Sequence, residues 1–316
     1  MMTRILAQIA RGFAMGASDV VPGVSGGTIA LVLGIYQGLI GNISTGSKAL
    51  GRLVKGDFKG FIDGLKAVDW LFLIPLVVGL GAAVVILAGI IEQALHDHPE
   101  AMAGLFFGLV IGSIVVARNL LKAPNAEHTI VALGVGALLF YLLGFQSGPV
   151  ADPAAVVLIG AGALASSALI LPGISGSFIL LMIGMYAVVL NAVDERIFSQ
   201  IALVGIGAII GLALFSSFLT YLLDNFHDRV MAVLIGLMIG SLRVLWPWPN
   251  GVGIIEPEEV IRGTGLELPN GAPTLVPILL AVGSAIAVVI ISSLAPSGEE
   301  SSADDLEPAT TTVVDE

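Results

Sequence analysis

Residues 17–36 read ASDVVPGVSGGTIALVLGIY, and residues 167–186 read SALILPGISGSFILLMIGMY. At a constant offset of 150 the two stretches share Pro22/Pro172, Gly23/Gly173, Ser25/Ser175, Gly26/Gly176, Gly34/Gly184 and Tyr36/Tyr186. A weaker echo relates GLVIGS at 108–113 to GLMIGS at 236–241. Self-similarity at a fixed period marks a duplicated architecture. Proline lacks an N–H and fixes φ, and the following glycine permits a bend, so each Pro-Gly-x-Ser-Gly breaks an apolar helix. Each half then reads as a helical arm, a break, a second arm and three apolar helices. In the first half the arms fall at about 4–20 and 24–41, and the spans at about 70–91, 101–119 and 128–145. In the second half the arms are about 154–171 and 174–192, with spans at about 200–223, 229–247 and 275–295.

Composition agrees with a membrane location. The 316 residues are 56% hydrophobic and only 12% charged, with a mean hydropathy of +1.00. A soluble domain carries roughly 25% charged residues. An ordinary soluble enzyme is excluded, and so is a nucleic-acid binder, because the net charge is −11 and no basic stripe exists. The fold class is an all-α polytopic membrane protein with two repeats, 1–150 and 151–295, each a broken or re-entrant hairpin plus three transmembrane helices. Residues 296–316 hold seven acids and no base, and are expected to form a disordered, acidic cytoplasmic tail. There is no cysteine, and His96, His98, His128 and His227 lie in short polar connections. No metal centre and no cofactor are therefore expected. Residues 5–21 are interrupted by Asp19, with Pro22 just beyond, unlike a removable signal peptide, so the N-terminus is expected to belong to the mature protein.

Basic residues set the expected orientation. With a cytoplasmic N-terminus, ten bases lie inside: Arg4, Arg11, Lys48, Arg52, Lys55, Lys59, Lys66, Arg118, Lys122 and Arg229. Outside there are only Arg196 and Arg262, with Arg243 at the end of a span. Such a bias places both termini and loop 42–69 in the cytoplasm, and loop 247–274 outside. A pair of arms returns the chain to its starting side, and three helices then cross, so the second half is expected to be inverted relative to the first. Inverted repeats with broken helices are the plan of transporters that bind substrate near the midplane.

The breaks themselves suggest what is bound. A helix restarting at Ser25-Gly26-Gly27-Thr28 points unpaired N–H groups and a positive dipole end into the gap. Glycine allows close approach, and the Ser25 and Thr28 hydroxyls add donors; Ser175, Gly176 and Ser177 repeat the pattern. Two such starts converging from opposite faces would cradle an anion such as a phosphate or carboxylate. The competing reading is a simple kink that lets helices pack. Two copies favour the cradle, since non-helical backbone at membrane depth survives only where it is buried or lines a cavity.

Asp19, three residues before Pro22, has no neighbouring base, and Leu169 stands at the matching position. It is read three ways: a coupling proton carrier, a cap for the restarted helix through Ser25, or a hydrated group in a shallow arm. Arg243 reads mainly as snorkelling beside Trp246 and Trp248, and also as a candidate headgroup contact. Tyr36 and Tyr186 close the second arms as interfacial anchors or headgroup contacts. The pairs Gly108/Gly112 and Gly236/Gly240 read as helix-packing faces.

PGVSGGT preceded by ASDVV, with PGISGSF in the second half and Gly-x-Tyr ending both arms, resembles the PopT-type polyprenyl-phosphate transporters over roughly residues 8–295. The resemblance implies a non-enzymatic carrier that returns polyprenyl phosphate from the outer to the inner face of the cytoplasmic membrane for glycan and envelope assembly. It implies that Asp19, Pro22, Gly23, Ser25, Gly26, Gly27 and Thr28 form part of the substrate site. Pro172, Gly173, Ser175, Gly176 and Ser177 are the second-half candidates, although Ser177 and Phe178 depart from the first motif. The acidic composition looks haloarchaeal, which would make the lipid a dolichyl rather than an undecaprenyl phosphate. Expected partners are the lipid, the bilayer and, at most, further copies of the chain. The motifs also look like those of membrane polyprenyl-diphosphate phosphatases, but neither holds the His, Arg or Glu that hydrolysis would use. A small-anion carrier is the third reading.

Overall fold

The computed structural model describes residues 2–20, 24–144, 150, 153–248, 266, 268 and 275–294. Pro22, Gly23, most of loop 247–274 and the acidic tail lie outside the described residues. In chain order the helices are α1 (Met2–Asp19), α2 (Gly26–Val32), α3 (Tyr36–Val54), α4 (Phe58–Lys66), α5 (Trp70–Asp97) and α6 (Pro99–Asn119). They continue as α7 (Ala126–Leu142), α8 (Ala155–Leu169), α9 (Gly176–Met182), α10 (Tyr186–Asp194), α11 (Phe198–Ser241) and α12 (Leu275–Leu294).

Each break has the expected place, but the arm after it is not one helix. Gly34 adopts φ +69° and Gly184 φ +70°, a left-handed conformation that glycine enters without steric cost. These residues divide 24–41 into α2 and α3, and 174–192 into α9 and α10; the latter pair is bent by 113°. A second correction concerns loop 42–69, which is helical for most of its length as the end of α3 and all of α4. Gly56 makes the turn between the two helices at φ +79°, Gly64 packs on Ala49, and Asp57 and Asp69 cap α4 and α5.

Local geometry repeats at the sequence offset. Ser25 and Ser175 open α2 and α9 in extended conformation (φ −119°, ψ 134° and φ −92°, ψ 137°). Further along, the offset falls to 128. There His98 (φ −139°, ψ 56°) turns α5 into α6, and Phe226 (φ −137°, ψ 40°) breaks α11. An unbroken helix of 44 residues would measure about 66 Å, twice the hydrocarbon core. The corner at Phe226 therefore separates two segments, at the position expected between 200–223 and 229–247.

Glycine governs how close the helices approach. A Cβ on Gly12 would strike the Leu76 carbonyl across the α1–α5 contact, and one on Gly79 would strike Ile9. Gly162 and Gly207 stand in the same relation to Val204 and Ile159 between α8 and α11. The long pairs then cross between halves. Gly104, Gly108 and Gly112 of α6 receive Pro277, Ala281 and Ala285 of α12, while Gly236 and Gly240 of α11 receive Ala132 and Leu139 of α7.

Among the described residues, four helices are long and apolar enough to cross a membrane, or five if the bent α9–α10 pair counts as one span. Their outward faces carry exposed Val85, Val115, Leu214 and Leu279, as lipid contact requires. The chain is a multi-pass α-helical membrane protein.

Gly108→Ala should destabilise the bundle by about 1–3 kcal/mol through overpacking. Gly134→Ala, which meets nothing within 4 Å, should leave stability unchanged or raise it by up to about 1 kcal/mol. Thermal unfolding in detergent micelles distinguishes the two.

Candidate functional site

The two breaks meet in one junction, held by polar side chains of the first half and backbone of the second. α8 ends at Leu169 with Ile170 as its cap residue, so its last carbonyls lack helical partners. The Ser25 hydroxyl donates to the Leu169 carbonyl at 3.3 Å, and the Tyr36 hydroxyl donates to the Ile170 carbonyl at 3.0 Å. Thr28 Oγ1 accepts from the Gly173 N–H at 2.9 Å. Gly27 approaches so closely that a Cβ would lie 3.1 Å from the Ile170 carbonyl oxygen. Gly173 itself takes φ +84° and packs on the α11 backbone at Met238.

The start of α2 is internally satisfied. Ser25 Oγ accepts from the Gly27 N–H at 3.1 Å, and the Thr28 N–H donates to the Ser25 carbonyl at 2.9 Å. The Gly26 N–H donates to the Asp19 carboxylate, which fills the space a Cβ on Gly26 would need. The cap reading of Asp19 is corrected in its partner: the carboxylate meets the start of α2 at the Gly26 N–H, while Ser25 caps the helix separately through Gly27. Every residue of α2 is buried, and Thr28 is wholly inaccessible.

The second break differs where its sequence differs. Leu169 stands in place of Asp19 and supplies no carboxylate. The Ser175 and Ser177 hydroxyls lie 2.8 Å apart and bond to each other, and neither caps the α9 backbone. Phe178, at the position of Thr28, is buried and apolar, so the reciprocal bond cannot form. Pro172 and Ser175 are buried at the junction, and Tyr186 packs beside Met185 and Leu180.

Asp19, Ser25, Gly26, Gly27, Thr28 and Gly173 are thus brought together, with Pro172, Ser175, Gly176 and Ser177 in the adjoining turn. The contacts seen for Arg243 are elsewhere: its guanidinium stands 5.0 Å from the centre of the Phe140 ring and against Gly144, at the end of α7. Trp246 packs edge-on against Trp248 and Phe107 nearby.

Sequence reasoning missed a cleft of about 260 Å³ beside the first turn of α3. Gln37, Lys122, Thr220, Asp224 and His227 give it polar walls over Ile40 and Leu223. One edge is fixed by Asp228, whose carboxylate accepts from the backbone N–H groups of Lys122 and Ala123 at 2.9 and 2.8 Å, and lies 3.0 Å from His227 Nδ1. Only the clustering of Asp224, His227 and Asp228 in a short connection signalled it.

A family model described as undecaprenyl phosphate translocase-like matches residues 15–260, a stretch that includes both breaks. The chain belongs to that family. Among its relatives are the polyprenyl-phosphate transporter of Vibrio cholerae, 38% identical over 75% of this chain and 76% of that protein, and the polyprenyl-phosphate transporter of Staphylococcus aureus, 33% identical over 76% and 85%. No solved structure matches the fold. The junction shows what the two motifs do structurally: Ser25, Thr28 and Tyr36 of the first half close onto backbone groups at 169–173 of the second.

Thr28→Val keeps the side-chain shape but removes the acceptor for the buried Gly173 N–H. It should cost about 1–3 kcal/mol, read as a lower unfolding temperature together with faster amide exchange at Gly173. Tyr36→Phe should speed exchange less, since it strands a carbonyl rather than an N–H.

Proposed function

We propose that the chain carries a polyprenyl phosphate across the cytoplasmic membrane without chemical change, returning the lipid carrier to the inner face for glycan or envelope assembly. The family and its named relatives support the substrate class, and the junction supports the means. Crossing hydrocarbon is costly for the phosphate, not for its tail. A protein that replaces the water of the headgroup, while leaving the tail in lipid, removes most of that cost.

The observation that carries this reading is the Asp19 carboxylate on the Gly26 N–H. A phosphate needs the same donors at the start of α2, so the carboxylate and the headgroup compete for one place. Protonation of Asp19 removes its claim on the donor and its repulsion of the phosphate. Proton uptake and headgroup binding thereby favour each other, as coupling to a proton gradient requires. Gly26, Gly27 and Ser25 on one side, with Gly173 and Ser175–Ser177 on the other, form the binding surface.

The equivalent corners, glycine contacts and torsions support two repeats of opposite orientation, with both termini in the cytoplasm and Lys122 on that side. The cleft at Gln37, Lys122, Thr220 and His227 then forms a hydrated mouth toward the cytoplasm. Around the junction the groups are hydroxyls, glycine backbone and one carboxylate; a phosphatase would add a cationic group and an acid/base pair there.

Protein in liposomes with a labelled short-chain polyprenyl phosphate tests this reading. Wild type should exchange label between leaflets without releasing inorganic phosphate when the diphosphate is offered. Gly26→Leu should lower exchange at least tenfold while still inserting into membranes. Asp19→Asn should abolish the response of exchange to an imposed pH gradient. Wild-type exchange in Gly26→Leu, or an unaltered gradient response in Asp19→Asn, would refute the respective roles.

A further inference from the structure

The first half carries a helical hairpin that the second half lacks. The offset between matching positions drops from 150 at the breaks to 128 at GLVIGS/GLMIGS, so 22 extra residues lie between them in the first half. The structure shows where they go. α3 has 19 residues and α10 has nine, and α4 has no counterpart before α11.

This hairpin is firmly built. Gly56, at φ +79°, turns the chain between α3 and α4. Asp57 caps α4 by accepting from the Gly60 N–H at 2.8 Å, and Arg52 donates to the Gly60 carbonyl at 3.2 Å. Gly64 leaves no room for a Cβ against Ala49. Trp70 Nε1 donates to the Leu65 carbonyl at 2.8 Å, fastening the end of α4 to the start of α5.

Its outer edge is nonetheless apolar and uncovered. Val54 is 86% exposed, Phe58 67% and Ile62 51%. Phe58 and Ile62 lie one turn apart on one face of α4, while Lys59, Asp63 and Lys66 follow the neighbouring face. Lys48, Lys55, Lys59 and Lys66 are four of the five lysines in the chain, and Arg52 joins them, against only Asp57 and Asp63 in residues 48–66. A short helix with an apolar stripe and a lysine-rich flank lies in the plane of a membrane interface. Each basic residue there strengthens attraction to an anionic surface about fivefold at low salt.

We propose that the α3–α4 hairpin lies flat on the adjacent leaflet. Val54, Phe58 and Ile62 enter the acyl boundary, and Lys55, Lys59 and Lys66 bind anionic phospholipid headgroups. The hairpin gathers negative headgroups along α3, whose other end carries Tyr36 at the junction. The inference rests on membrane embedding and not on the transported lipid.

The chain has no cysteine, so one introduced cysteine takes one spin label. In the full-length protein reconstituted in phosphatidylcholine with a minority of phosphatidylglycerol, the label at Ile62→Cys should relax with oxygen and be shielded from a water-soluble nickel chelate. The label at Asp63→Cys should show the reverse. Spin-labelled phosphatidylglycerol should associate with wild type several-fold more than spin-labelled phosphatidylcholine, and Lys55/Lys59/Lys66→Gln should bring that preference close to one. Equal nickel access at both positions would overturn the proposal, as would shielding of Ile62→Cys from both reagents, which would mean a protein cover such as a second copy. An unchanged lipid preference in the triple variant would also overturn it. Leaflet exchange of polyprenyl phosphate is a separate reading, so transport and hairpin can fail independently.

Discussion

A helix broken inside a membrane must find partners for the backbone groups it exposes, because an unsatisfied group in hydrocarbon costs several kcal/mol. In this protein three hydroxyls of the first half meet that requirement for the second. Ser25 and Tyr36 donate to the carbonyls at the end of α8, and Thr28 takes the Gly173 N–H. The buried position of α2, the glycines at 27 and 173 and the close approach of α11 all follow from placing these groups within hydrogen-bond reach. The same bonds hold together segments more than 130 residues apart in sequence.

The junction is unequal, and its inequality is chemical. At the first break a carboxylate holds the helix start; at the second a leucine stands in its place and two serines bond to each other. A symmetric pair of anion sites would bind a headgroup on either side with no reason to release it. In the transport cycle we propose, one site closed by its own exchangeable carboxylate gives a step that protonation can throw.

Much of this was legible in the sequence because the signals are local. Proline and glycine at 22–23 and 172–173 announce the breaks, the apolar runs announce the spans, and Gly108/Gly112 and Gly236/Gly240 announce packing faces. The contacts that matter most were not legible. Ser25, Thr28 and Tyr36 find their partners across the junction, and no spacing rule joins Thr28 to Gly173. Asp19 bonds to Gly26, seven residues on, and no helical spacing predicts that pairing. Gly34 and Gly184 look tolerable inside a helix, and only their left-handed torsions divide the arms. Residues 42–69 mix glycine with charge as a loop does, yet Gly64 serves close packing at Ala49 and Asp57 caps α4.

The central claim is that the phosphate takes the place of the Asp19 carboxylate at the start of α2. Solid-state NMR of the reconstituted protein, with ¹⁵N in the glycine amides and phosphorus in the bound polyprenyl phosphate, tests it directly. The account predicts a short nitrogen–phosphorus dipolar contact that disappears when Gly26 is replaced by leucine, with the protein still folded. A phosphorus signal that binds but couples to no amide of the junction, or a coupling unaffected by that replacement, would contradict it.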